Sequence, residues 1–206
     1  MKPSSPHLAA IILAAGEAKR FGSPKQLLLY KHRTLIARAV DACLGAGAQH
    51  IVVVTGAHQQ QVSDALQAQS SNDPRITLSQ NEHWSNGMHT SITCGMKALL
   101  EQSIYIKSVL ITLVDQPRID APFLRKLVDE QRGADAAALA YPSGAGVPAC
   151  FGESQIEKLV NLDTSGGGAK GILRDSNLNI RLLEAPERRL DIDTFEDWND
   201  FNRDQS

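Results

Sequence analysis

The chain has 206 residues, 42% apolar and 21% charged, with a formal net charge of −2, a length that suits one large α/β unit with a substantial core. That charge balance argues against a nucleic-acid partner, and the phosphate-binding charge of any site must be local. The longest apolar runs reach about eight residues where a bilayer span needs ~20, and residues 1–7 are polar with no apolar leader core, so we expect a cytoplasmic protein with no membrane partner.

Residues 8–13 form a short aliphatic run bounded by a glycine, which predicts a buried central strand. The chain continues through Leu13-Ala14-Ala15-Gly16-Glu17-Ala18-Lys19-Arg20-Phe21-Gly22-Ser23-Pro24-Lys25. Small residues let backbone N–H groups approach an anion closely, and Arg20 and Lys25 supply the countercharge. Neither G-x-x-x-x-G-K-[ST] nor G-x-G-x-x-G occurs, so this loop is not a Walker or dinucleotide fingerprint.

Helical spacing then covers 34–45, closed by glycines, and a β-branched strand covers 51–54. An amphipathic helix at 59–69, a polar loop at 67–74 and a short strand at 75–78 follow. Residues 89–100 read as a helix, 108–114 as the clearest buried strand, and 121–131 as a helix. Strands are expected at 136–141, 147–151 and 180–183, and helices at 154–160, 169–175 and 195–201. This alternation predicts an α/β fold: a three-layer, mostly parallel, Rossmann-like sheet with helices on both faces, forming a single domain over 1–206 with its core at about 8–200. Such sheets bind ligands beyond the C-terminal ends of their strands. The first loop, the loop after residue 78 and Asp115 should therefore meet in one crevice.

Asp115 directly follows the 109–114 run, where a carboxylate either ligates a cation or caps the next turn. In Asp191-Ile192-Asp193-Thr194-Phe195-Glu196-Asp197, Thr194 reads as a helix N-cap, with two acids just ahead of it. The string from Asn81 to Ile92 reads as a glycine turn entering a helix, with Thr90 or Ser91 as cap and Trp84 in the core. Cys43, Cys94 and Cys150 lie far apart and read as reduced, mostly buried thiols; the histidines, including His83 and His89, show no metal spacing.

The first loop resembles L-A-A-G-x-S-x-R-M-G-x-P-K, the signature of nucleotidyltransferases related to molybdenum-cofactor cytidylyltransferase, the MobA-like NTP transferases. Ala18 replaces the usual Ser and Phe21 the usual Met. Three further strings are similar to family motifs in the same order: Asn81 to Ile92 to N-x-x-W-x-x-G-M-x-S-S-I, Leu113 to Pro117 to L-x-D-Q-P, and Asp191 to Asp197 to D-I-D-T-P-E-D, with Phe195 for Pro. Gly146-Val147-Pro148-Ala149 and Phe151 resemble G-V-P-A-x-F, while residues 162–170 keep Gly168-Ala169-Lys170 but disrupt the family's G-D-x-G-A-[RK].

The resemblance implies that Leu13, Ala14, Ala15, Gly16, Arg20 and Lys25 wrap a nucleoside triphosphate, with Arg20 on the outer phosphates and Lys25 near the attacked α-phosphate. It places Gly87 and Ser91 at the base, makes Lys25, Arg20 and Asp115 catalytic, and assigns Mg²⁺ (or Mn²⁺) to Asp115 and Asp193, with Asp191 a weaker candidate. Gly146, Pro148 and Lys170 would face the acceptor. The implied reaction transfers CMP from CTP to a molybdenum-bearing pterin phosphate and releases pyrophosphate; a molybdoenzyme or maturation partner is possible within this family. Alternatives are transfer from GTP or another NTP to a different phosphorylated acceptor, and a non-catalytic nucleotide- or cofactor-binding chaperone. An α/β oxidoreductase is set aside for want of a dinucleotide fingerprint.

Overall fold

A computed structural model describes residues 7–70, 73–162 and 168–204. The strands are β1 (His7–Ala14), β2 (Leu29–Tyr30), β3 (Arg33–Thr34), β4 (His50–Thr55), β5 (Ile76–Gln80), β6 (Ile106–Leu113), β7 (Ala136–Tyr141), β8 (Gly144–Gly152) and β9 (Ile180–Leu183). The helices are α1 (Leu35–Ala46), α2 (Gln59–Ser70), α3 (Met88–Leu100), α4 (Ala121–Gln131), α5 (Ile156–Val160), α6 (Ala169–Leu173) and α7 (Phe195–Arg203).

Seven strands make one sheet in the order β5-β4-β1-β6-β8-β7-β9. β1 pairs parallel with β4 and β6, β4 with β5, and β7 with β9; β8 alone runs antiparallel, between β6 and β7. The reversal comes from the tight Pro142-Ser143 turn joining β7 directly to β8, which leaves no room for a crossover. β8 also starts three residues before the expected strand, because pairing with β7 recruits Gly144-Ala145-Gly146, residues with little strand propensity of their own.

Alternation along the strands divides the core between the two faces. Ala10, Ile12 and Ala14 of β1 join α1, α2, α4 and α7 on one face. Ala9, Ile11 and Leu13 join α3, α5 and α6 on the other. The helices are therefore on both sides, giving the three layers expected. α3 lies close on β1 and β4: a Cβ at Gly95 would sit 2.7 Å from the Ile11 side chain. Cys43 and Cys150 are buried and free, and burial pushes both thiols up to about 12; Cys94 is half-buried and free.

Strand order reverses at β1, since the chain moves from β1 out to β4 and β5 and then returns to the opposite side with β6. The crevice beyond the C-terminal ends of β1 and β6 is the switch point where open α/β sheets bind ligands. Among the described residues, no helix is long and apolar enough to cross a membrane.

Candidate active site

Lys25 opens a single 3-10 turn, Lys25–Leu27, directly after Pro24, and its ammonium reaches across the switch point. Nζ lies 2.8 Å from Oδ2 of Asp115 and 3.1 Å from Oδ1 of Asp193. Arg20 donates to the other oxygen of Asp193 at 2.8 Å. Lys25 is nearly enclosed, with 12% of its side chain exposed, whereas Arg20 is 72% exposed at the rim. Burial alone would lower the Lys25 pKa; the charges and hydrogen bonds of Asp115 and then Asp193 more than reverse this and hold it above the ordinary lysine value.

Two backbone devices bring these distant aspartates together. The amide of Ile192 donates to the carbonyl of Asp115 at 2.9 Å, while the Ile192 side chain is fully buried. Thr194 caps α7 as expected, accepting from the Asp197 amide. The Asp197 carboxylate in turn accepts from the amides of Thr194 at 2.7 Å and Asp193 at 2.9 Å. This reciprocal cap is worth about 1 kcal/mol in a typical helix. It also fixes the backbone at Asp193. The amide hydrogen bonds, first that of Thr194, hold the Asp197 carboxyl below the usual carboxylate range.

Gln26 organises the first loop and was not singled out from the sequence. Its buried amide donates to the carbonyls of Ala14 at 2.8 Å and Gly16 at 3.0 Å. The Ala15 carbonyl accepts from the Ala57 amide, Glu17 from the His58 ring, and Ala18 from the amides of Phe21 and Gly22. With the carbonyls of residues 14–18 all occupied, the loop is left to present N–H groups to an anion. A glutamine two residues after a loop proline gives no sequence signal for this role.

The cleft of about 380 Å³ at this point is lined by Leu13, Ala15, Gly16, Arg20, Lys25, Asp115 and Asp193, and by Trp84, Met88 and Ser91 from across the crevice. Ala14 is a correction: strand alternation turns its methyl into the opposite face of the sheet, where it is buried. Gly87 does not line the cleft either; with φ 115° it makes the turn into α3 as its N-cap residue. The expected side-chain cap is absent there. Thr90 instead donates to the carbonyls of Gly87 at 2.8 Å and His83 at 3.0 Å, and Ser91 accepts from Asn81. Trp84 is half-buried at the cleft wall, packed so closely that a Cβ at Gly56 would lie 2.8 Å from its ring.

A neighbouring cavity of about 520 Å³ is lined by Gly146, Val147, Ala169, Lys170, Tyr141 and Asp191, among others. Of the residues expected to face an acceptor, Gly146 and Lys170 line this cavity, and Pro148 does not: it is buried behind the wall. Residues 163–167 of the disrupted acceptor motif lie outside the described residues. Gln116 and Tyr141 build the floor. The Gln116 amide donates to the Tyr141 hydroxyl and to Asp191, each at 2.9 Å, and Tyr141 donates to the Val147 carbonyl at 2.7 Å. A Cβ at Gly146 would lie 2.8 Å from the Tyr141 ring, so glycine there is a condition of the cavity's shape. Burial, then the charge of Asp191, pushes the Tyr141 phenol up to about 12. Desolvation and the charges of Asp115 and Asp193 raise Asp191 against the Gln116 hydrogen bond.

The donor set accommodates a divalent cation. Two carboxylates face one point, and Oδ1 of Asp115 is buried with no hydrogen-bond partner. Asp115 and Asp193 are the pair; among the described residues, no group of three or more acidic, histidine or cysteine side chains assembles around one point.

Comparison with known proteins places this geometry in a family. Nicotine blue oxidoreductase of Paenarthrobacter nicotinovorans is 29% identical over 202 residues, covering 93% of this chain and 94% of that protein. The bifunctional protein GlmU of Bifidobacterium animalis subsp. lactis is 30% identical over 185 residues, 86% of this chain, which spans only 39% of that longer protein. Among solved structures, a nucleotidyl transferase from Methanothermobacter thermautotroptrophicus has a TM-score of 0.81 at 21% identity, covering 97% of this chain and 98% of that one. Rv0371c of Mycobacterium tuberculosis, solved as a complex with manganese, has a TM-score of 0.69 at 23% identity, covering 96% and 98%. The sequence profile of the MobA-like NTP transferase domain matches residues 10–181, and the chain belongs to that family.

Proposed function

We propose that the protein is a divalent-metal-dependent nucleotidyltransferase that transfers CMP from CTP to a phosphate of a small acceptor, the molybdenum-bearing pterin, and releases pyrophosphate. The observation that carries this reading is the enclosed Lys25 ammonium between Asp115 and Asp193 at the switch point, with Arg20 at the rim. An acceptor phosphate oxygen attacks the α-phosphorus in line as the bond to the pyrophosphate oxygen breaks. Little covalent work falls to the protein, and rate comes from positioning and charge.

Lys25 turns from the carboxylates to the α-phosphate and neutralises charge that develops there. Arg20, exposed at the rim, leaves Asp193 to take the outer phosphates. The first loop supplies amides to the polyphosphate. Asp115 and Asp193 hold Mg²⁺ or Mn²⁺, which supplies charge neutralisation at the phosphates. The neighbouring cavity receives the acceptor, with Lys170 at its exposed edge.

The test is pyrophosphate release from CTP, GTP, ATP and UTP, with Mg²⁺ or Mn²⁺ and the pterin phosphate as acceptor. Release selective for CTP and dependent on metal is expected. GTP-selective release moves the substrate assignment, and no release with any nucleotide overturns the activity.

A second reading rests on the relative from P. nicotinovorans, which aligns over nearly the whole of both chains and is an oxidoreductase. It reopens the possibility that the missing fingerprint had set aside. In this reading the first loop holds the phosphates of a reduced dinucleotide, and a conjugated acceptor occupies the neighbouring cavity. Oxidation of NADH or NADPH by a conjugated dye, without pyrophosphate release, would select it.

A further inference from the structure

The larger cavity has a polar floor rich in acceptors and short of hydrogens. Gln116 is 4% exposed, and its amide nitrogen faces the Asp191 carboxylate at 2.9 Å and the Val147 carbonyl at 3.3 Å. Both of those groups only accept, which fixes the orientation of the Gln116 amide. Its two hydrogens and the one hydroxyl hydrogen of Tyr141 are all the floor contains. The network already supplies an acceptor for each: Gln116 reaches the Tyr141 oxygen and Asp191 Oδ1, both at 2.9 Å, and Tyr141 reaches the Val147 carbonyl at 2.7 Å. A hydrogen lent to a ligand would leave one of these bonds unmade. Acceptors remain in excess, since among the described residues only Gln116 bonds Asp191, and only through Oδ1. Donors of the cavity lining, Lys170 and Ser143, stand at its exposed edge. Arg189 bonds Glu184 and does not line the cavity.

We infer that Asp191 serves this cavity rather than the metal, and that the cavity takes a planar heterocycle whose adjacent N–H donors, an amidine or amino-oxo edge, turn down onto Asp191. The inference deepens the nucleotidyltransferase reading and rests on it in one respect, that the occupant is the acceptor. The backbone separates the two aspartates. Between them the Ile192 amide is tied to the Asp115 carbonyl, and from that tie Asp193 lines the cleft while Asp191 lines the cavity. Two N–H groups side by side match a carboxylate, as they do in an arginine fork. A carbonyl or phosphate oxygen at the same point would set lone pairs against lone pairs. The phosphate therefore stays off the floor, and the acceptor enters heterocycle first. Ile92, Leu113, Val147 and Leu173 line much of the rest, which suits a flat ring and leaves the hydroxyls of a sugar without partners.

The experiment titrates the full chain with pterin and with lumazine, followed by the fluorescence of the rings themselves. The two differ by an amino or an oxo group on one carbon of the same ring system. The wild type is expected to bind pterin about tenfold more tightly. Asp191→Ala should lose that preference by weakening pterin alone. Asp191→Asn should go further and strengthen lumazine, because its amide oxygen keeps the Gln116 bond while its amide nitrogen brings hydrogens to the cavity. A wild type that binds neither ring, or both equally, overturns the inference. So does an equal loss of both rings in the two variants, which would mean a structural aspartate. Unchanged ring binding in Asp191→Asn together with weakened Mn²⁺ binding would return Asp191 to the metal and overturn it too. Failure of the nucleotidyltransferase reading shows separately, as a pterin preference without pyrophosphate release from any nucleotide, and leaves the assignment of the cavity standing.

Discussion

The charged cleft and the cavity beside it share Met88 and Leu113 as a partition, yet they are built on opposite principles. The cleft is a charged constellation, Lys25 between two aspartates with Arg20 outside, supplied by side chains at strand ends and loop turns. The cavity is larger and mostly shape: Tyr141 laid over Gly146, Val147 and Ala169, with Gln116 tying the floor together. Charge can be placed by a few residues with fixed offsets in the chain, and it tolerates variation around it. Shape needs many neighbours at once. In the proposed function, the half that handles invariant chemistry, the phosphates, is the charged one, and the half that must fit one particular molecule is the shaped one.

Removing Lys25 should strike the first half hardest. Lys25→Ala is expected to lower turnover about a hundred- to a thousandfold, as loss of one transition-state donor commonly does, with an unchanged acceptor KM. The same variant should bind Mn²⁺ more tightly than the wild type when no nucleotide is present, because the ammonium that competes for Asp115 and Asp193 is gone. Near-normal turnover would break the division between the two halves.

Gly146→Ala should strike the second half alone. The added methyl meets the Tyr141 ring, which must shift, so the acceptor KM should rise about tenfold while nucleotide affinity measured by calorimetry stays put. Equal damage to both substrates would mean that the cleft and the cavity form one site.

The pH dependence sharpens the charged half. Lys25 titrates above its ordinary value of 10.5, so the stability its cationic form contributes is complete below that pH and is lost only as the pH climbs through the raised value. Nucleotide affinity should therefore show no Lys25-dependent basic limb between about pH 7 and 9, and a limb there that Lys25→Arg abolishes would refute the assignment. The smallest effect belongs to Phe21 and Phe195, two of the departures from the family strings, whose rings meet at 6.0 Å between the first loop and the start of α7. A double-mutant cycle with alanine at both positions should give a coupling on the order of 0.5 kcal/mol in thermal unfolding.

The charged half was legible because its residues sit where local patterns end: Lys25 after a small-residue turn, Asp115 after the most apolar run, Asp193 before a helix cap. Ala14 misled because a motif is read as a line, whereas a strand sends alternate residues to opposite faces. Pro148 misled for a similar reason, lying inside the wall whose surface Gly146 and Val147 form. Asn81 and Gln116 stood in family strings without showing what they hold, and Gln26 and Tyr141 carried no signal, since a polar side chain declares its partners only once the chain has folded.

By itself the sequence determined the alternation of strands and helices, the switch-point crevice, and the charged groups at its edge. These follow from periods of two and 3.6 residues and from the chemistry of individual side chains, all of them local. The tertiary structure decided that Asp115 and Asp193 meet, through the Ile192 amide and the Asp197 cap. It decided too that β8 runs backwards, that Gly146 holds Tyr141, and that the buried Asn81 amide reaches Ser91. The meeting of Asp115 and Asp193 joins segments far apart in the chain, and the others turn on which face of a strand or turn each side chain takes against its neighbours, which no local pattern encodes.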